Sequence, residues 1–172
     1  MAPEVKQARE VIESAVEGYG ADESVPLGSY ALLIGIFNAG LAGSLLAVRL
    51  SGRELPARLA WSEIALFGAA THRLSRLLAK DKVTASLRAP FTAFEEKGGP
   101  AEVEEKARGT GFQRAIGELV LCPYCLDQWV ASGFVMGSVF APRMTRLLAG
   151  VFGTVAVADF LQVAYKASQQ KL

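Results

Sequence analysis

Residues 29–48 read SYALLIGIFNAGLAGSLLAV, twenty consecutive positions without a charged side chain. A helix rises 1.5 Å per residue, so ~20 apolar residues cross the ~30 Å hydrocarbon layer of a bilayer. This stretch predicts a membrane-spanning helix and sets the expected class of the whole chain, an all-α integral membrane bundle. Upstream, residues 1–28 form the expected cytoplasmic N-terminal segment. Val5, Ala8, Val11, Ile12, Ala15 and Val16 recur at helical spacing and predict an amphipathic helix, which Gly18, Gly20 and Pro26 end. Glu4, Glu10, Glu13, Glu17, Asp22 and Glu23 against Lys6 and Arg9 do not make a signal peptide, so the first span is expected to do the targeting.

Composition agrees with a lipid environment. Of 172 residues, 51% are hydrophobic, and 18 basic against 17 acidic side chains leave no field that would favour nucleic acid as a partner. Downstream of the first span, Leu59–Ala79 is long enough to cross, although Glu63, His72, Arg73 and Arg76 interrupt it. Residues 80–117 carry seven Lys and Arg with Glu95, Glu96, Glu102, Glu104 and Glu105, and are too polar for lipid. Gly98, Gly99 and Pro100 break this loop, and Ala101–Arg108 is expected to form one exposed helical stretch. A third span from about Leu121 to Ala141 and a fourth from about Thr145 to Tyr165 turn at Pro142. The membrane domain is thus residues 29–165, followed by a short tail, 166–172. Gly133 and Gly137, Ala39 and Gly43, and Ala149 and Gly153 are small-residue pairs of the kind that let helices approach.

Orientation follows from the basic residues. With four spans, Arg49, Arg53, Arg58, Arg143 and Arg146 lie on one side and the other 13 Lys and Arg on the opposite side. The positive-inside rule places both termini and the 80–117 loop in the cytoplasm.

Three groups of residues could carry chemistry. Cys122-Pro123-Tyr124-Cys125 has the letters of a dithiol redox motif, and Pro123 suits the first turn of a helix with Cys122 at its cap. The alternatives are a packed turn of two reduced thiols, or half a metal site completed by His72 or carboxylates; a full metal set is not expected. Asp159, about 10 Å below the cytoplasmic interface, is expected to pair with Arg73, or with Arg76 one turn on, rather than to act as a relay. Arg73, Arg76, Lys80, Lys82 and Arg88 concentrate positive charge at the membrane surface, where anionic lipid head groups are the expected ligands.

Around these residues a family resemblance becomes visible. The arginine-rich end of the second span, Lys80-Asp81-Lys82-Val83, the run from Leu87 to Thr92, and GELVLCPYCL over residues 117–126 with Trp129 together resemble the uncharacterised bacterial membrane-protein family labelled domain of unknown function thirteen-sixty. The resemblance covers about residues 29–165. It implies a small multi-span bacterial protein, some relatives of which are linked to sporulation, without an established reaction. The positions that carry it are Arg73, Arg76, Asp81, Arg88, Pro90, Phe91, Glu118, Cys122, Pro123, Cys125 and Trp129.

With no triad, nucleotide loop or complete metal set, the leading expectation is a non-enzymatic anchor or scaffold at the cytoplasmic face, without a cofactor. It would contact lipid and a cytoplasmic protein, and could pair with a second copy. A membrane-bound thiol–disulfide oxidoreductase using Cys122 and Cys125, and a small transporter built around Asp159, are the competing expectations.

Overall fold

A computed structural model describes Tyr19 and residues 25–170. The expected N-terminal amphipathic helix lies outside the described residues. Within them the chain forms α1 (Leu27–Leu50), α2 (Trp61–Lys80), a 3₁₀ turn (Lys82–Thr84), α3 (Ala85–Arg88), β1 (Thr92–Lys97), β2 (Val103–Ala107), α4 (Gly111–Leu121), α5 (Pro123–Phe140) and α6 (Pro142–Gln169).

One expectation is corrected and two are refined. The fold is mostly helical but not all-α: β1 and β2 pair antiparallel, and the expected helical stretch Ala101–Arg108 is largely strand β2. Its period-two pattern has a physical use, because Val103, Glu105 and Ala107 fall on one face and Glu102, Glu104 and Lys106 on the other. Secondly, four spans are not established. Among the described residues two helices, α1 and α6, are long and apolar enough to cross a membrane. Charges within α2 keep it from qualifying by composition. Thirdly, the expected third span, about Leu121–Ala141, corresponds to the single helix α5, which α4 meets at Cys122 with a bend of 82°, and the two together count as at most one broken span. Pro123 at the first turn of α5 explains the break, since it lacks the N–H that would continue α4.

Side-chain contacts fix how the helices run. Tyr30 meets Glu118, Phe37 meets Trp129 edge to face at 5.1 Å, and Arg53 reaches the Val139 carbonyl, so α1 and α5 run the same way. Glu63 pairs with Arg146, and Arg73 lies 3.0 Å from Asp159, so α2 and α6 run together in the opposite sense. The start of α1, the hairpin, α4 and the last turns of α6 therefore share one end.

The core sits where α2 crosses α5 and α6. Phe67 stacks on Phe134 with centroids 5.9 Å apart, beside the fully buried Ala70 and Ala149. Gly153 lets α6 approach Leu66, and Gly137 lets α5 approach Thr145 after the Pro142 turn. Gly43 and Gly133 face open space, so these members of the expected small-residue pairs make no close helix contact within this chain. Along α1 only Val48 is buried. An apolar helix left exposed nearly all round is one whose cover is lipid or another chain.

Candidate functional site

The polar end is organised by the last turn of α2. Its final carbonyls have no partner within the helix. The Thr84 hydroxyl lies against those of Leu77 and Asp81, and Arg88 donates to Leu78 at 2.7 Å and to Asp81 at 3.2 Å. The same guanidinium bonds Thr84 Oγ1 at 2.7 Å and sends Nε to Glu105 at 2.5 Å. Arg88 and the Glu105 side chain are 2% and 6% exposed, so this is a buried, charge-assisted clamp between helix end and hairpin.

Around it, Arg76 pairs with Glu102 and Lys80 with Glu104 at 2.8 Å. Asp81 bridges to Glu102 through the backbone, and the Lys82 amide donates to the Ala101 carbonyl at 2.9 Å. On the far side α4 presses against β2: a Cβ at Gly117 would stand 2.5 Å from the Phe91 carbonyl oxygen. Of the five basic residues expected at lipid head groups, four are thus engaged by carboxylates of this chain, and Lys82 is exposed. The glutamates of β2 are the partners that sequence reasoning missed. Their signal was present as three acids over residues 102–105, facing three of the four bases over residues 76–88, Arg76, Lys80 and Arg88.

Arg73 has two carboxylates near it. Its Nη2 donates to Asp81 at 2.9 Å, and its Nε lies 3.0 Å from Asp159 without the angle of a hydrogen bond. The Asp81 contact is the directed one, and the Asp159 contact is electrostatic. His72 stacks on Phe160, with centroids 5.8 Å apart, and among the described residues no three His, Cys, Asp or Glu side chains gather as a metal set. Deeper in the bundle the Thr71, Ser75 and Asp127 side chains each bury an oxygen without a hydrogen-bond partner. Thr71, His72, Asp127 and Gln128 line a groove of about 510 Å³ between α2 and α5.

At the bend, Cys122 and Cys125 are joined in a disulfide, with Cα atoms 5.2 Å apart. This departs from the reduced, merely packed pair. Cys122 caps α5, its Sγ accepting the Cys125 amide at 3.1 Å, while Cys125 is exposed. Cys125 also lines a cavity of about 440 Å³ between α1 and the α4–α5 bend, with Tyr30, Phe37, Glu118, Gln128 and Trp129 in its wall.

Comparison with known proteins places this geometry in a family. A model described as "Protein of unknown function (DUF1360)" matches residues 66–165, which holds the clamp and both cysteines and begins well after α1. The extent expected from the sequence, from residue 29, was therefore too long at its start. The "Sporulation protein YjcA" of Bacillus subtilis (strain 168) is 30% identical over 102 residues, covering 58% of this chain and 86% of that relative. No solved structure matches the chain.

Proposed function

The chain belongs to the family described as Protein of unknown function (DUF1360), which brings no reaction with it, and we propose that this member is a multi-pass inner-membrane platform holding a rigid polar module at the cytoplasmic face. The observation that carries the reading is the Arg88–Glu105 clamp with its flanking pairs. The basic end of α2 spends its charge on fixing a hairpin, which suits a docking surface better than a lipid-binding patch. In this arrangement α1, α2, α5 and α6 cross the bilayer, both termini are cytoplasmic, and Lys82 meets anionic head groups. Val83, Leu87 and Phe94, all more than 60% exposed around the clamp, are the side chains a cytoplasmic protein would cover.

Photo-crosslinkers placed at Leu87 and Phe94 test this in cells of the source organism, with Leu161 on α6 as the lipid-facing control. The expected result is a discrete protein adduct at the first two positions, lost when Arg88→Met releases the hairpin. Lipid adducts alone at all three would reject the platform. The name of the Bacillus subtilis relative points to sporulation as the process in which to look for the partner.

A second reading, a thiol–disulfide oxidoreductase, is favoured by one observation: the paired sulfurs sit at the N-terminus of α5 with Cys125 exposed. Helix N-termini stabilise thiolates, which makes Cys122 the candidate nucleophile. Cycling of the pair in a glutathione buffer, followed by maleimide mass shift, tests that reading.

A further inference from the structure

We propose that the cavity between α1 and the α4–α5 bend binds a lipid-soluble quinone that oxidises the Cys122–Cys125 dithiol, an inference that rests on the oxidoreductase reading. Three observations meet there. Cys125, one member of the disulfide pair, forms part of the wall. The wall runs from Tyr30 to Asn38 on α1, a depth of about 12 Å at 1.5 Å per residue, which carries it from the polar end into the apolar length of the helix. Its sides are aromatic, with Phe37 and Trp129 in edge-to-face contact, and its volume of about 440 Å³ is in the range of small-molecule sites.

The occupant follows from what the chemistry requires. Converting two thiols to a disulfide releases two electrons and two protons, and an acceptor reaching this cavity from the bilayer must take all four and partition into lipid. A quinone does both. Trp129 and Gln128 supply N–H donors for its carbonyl oxygens.

The step balances as follows. Cys125 loses its proton and its thiolate adds to a ring carbon, forming an S–C bond. The Cys122 thiolate, stabilised at the helix N-terminus, then attacks Cys125 Sγ. The S–S bond forms, the S–C bond breaks, and the electron pair passes to the ring. The two thiol protons end on the quinol oxygens, and Glu118 in the same wall is a carboxylate able to hand one of them across. The disulfide returns to the dithiol by exchange with a substrate thiol pair, which it oxidises.

The test uses the full chain in lipid nanodiscs, reduced with dithiothreitol, freed of reductant and mixed with decyl-benzoquinone. Thiols are counted by maleimide mass shift and quinol by absorbance. Two thiols should disappear per quinone reduced. Leu33→Trp, which fills the cavity, should slow this at least tenfold while leaving oxidation by diamide unchanged. In a Trp61→Phe background, Trp129 fluorescence should be quenched saturably by the quinone, a readout that does not depend on the cavity-filling variant folding. Equal rates with and without Leu33→Trp, or non-saturable quenching, would overturn the site. If glutathione disulfide oxidises the pair but the quinone does not, the acceptor assignment falls and the oxidoreductase reading stands. If neither oxidises it, both fall.

Discussion

Replacing Arg88 should unfasten the hairpin while leaving the helical bundle in place. Its guanidinium satisfies Glu105, the Leu78 and Asp81 carbonyls and Thr84 Oγ1 at once, and it is 2% exposed. In Arg88→Met the Glu105 carboxylate keeps only a hydroxyl from Thr92 at 3.3 Å, and the Leu78 carbonyl loses the donor that Arg88 gave it. Breaking a buried pair by removing one member costs about 3–5 kcal/mol, and most of that is the stranded charge. Loss of neutral hydrogen bonds at about 1 kcal/mol each acts in the same direction but overlaps with it, so about 4 kcal/mol is the working figure. Such a change multiplies the open population of the hairpin about a thousandfold, at 1.4 kcal/mol per factor of ten. Limited proteolysis in the Gly98–Glu102 turn and amide exchange over 92–107, both on protein in nanodiscs, report it. The double change Arg88→Met with Glu105→Leu removes both charges and should recover at least 1 kcal/mol. Unchanged protection in the single variant, or a double variant as open as the sum of the singles, would refute the clamp as the device that holds the hairpin.

Gly117→Ala should loosen the same module from the other side, by about 1–3 kcal/mol, because the new Cβ meets the Phe91 carbonyl and Ala107; protease sensitivity equal to wild type would count against that packing. Asp159→Asn should lower thermal stability in detergent less than Arg73→Gln does, since Arg73 keeps Asp81 in the first case while Asp159 keeps no ion-pair partner among the described residues in the second. The reverse order would assign Arg73 chiefly to Asp159. In a Cys122→Ser, Cys125→Ser background, Leu55→Cys should label from outside intact cells and Glu96→Cys only after the cytoplasm is opened; labelling of both from outside would invert the proposed topology.

The parts of this fold that were legible in the sequence are those set by one-dimensional patterns. The uncharged run 29–48 required a long helix, Pro123 marked a helix start with Cys122 at its cap, and Pro142 marked the turn before the last helix, which starts at the proline itself rather than near Thr145. What stayed hidden depends on pairing across space. Residues 92–107 are short, charged and broken by Gly98, Gly99 and Pro100, so no apolar alternation announces strands; their pairing is stabilised by Arg76, Lys80 and Arg88, which lie 17 to 26 residues along the chain from the glutamates they hold. Ala101, at φ 66°, holds a backbone conformation that usually selects glycine, which removes the ordinary turn signal as well. The basic cluster was visible, but the glutamates that pair with it within the chain were not, because a head group and a glutamate offer the same charge. Distance along the sequence does not rank them.

That ambiguity bears on what the shared part of the chain does. The family match takes in α2 from its sixth residue, the clamp, the cysteine pair and most of α6, whereas α1 stands outside it. Yet α1 supplies Tyr30, Leu33 and Phe37 to the cavity beside Cys125, and Tyr30 touches Glu118 across the α1–α4 contact. Clamp and disulfide are therefore built from matched residues, while one wall of the cavity comes from outside the match. A docking role for the hairpin needs nothing from α1. A ligand held beside Cys125 needs it, because Tyr30, Leu33 and Phe37 form the α1 side of that cavity. The two proposed activities thus depend on different lengths of the chain, which makes them separable by physical means.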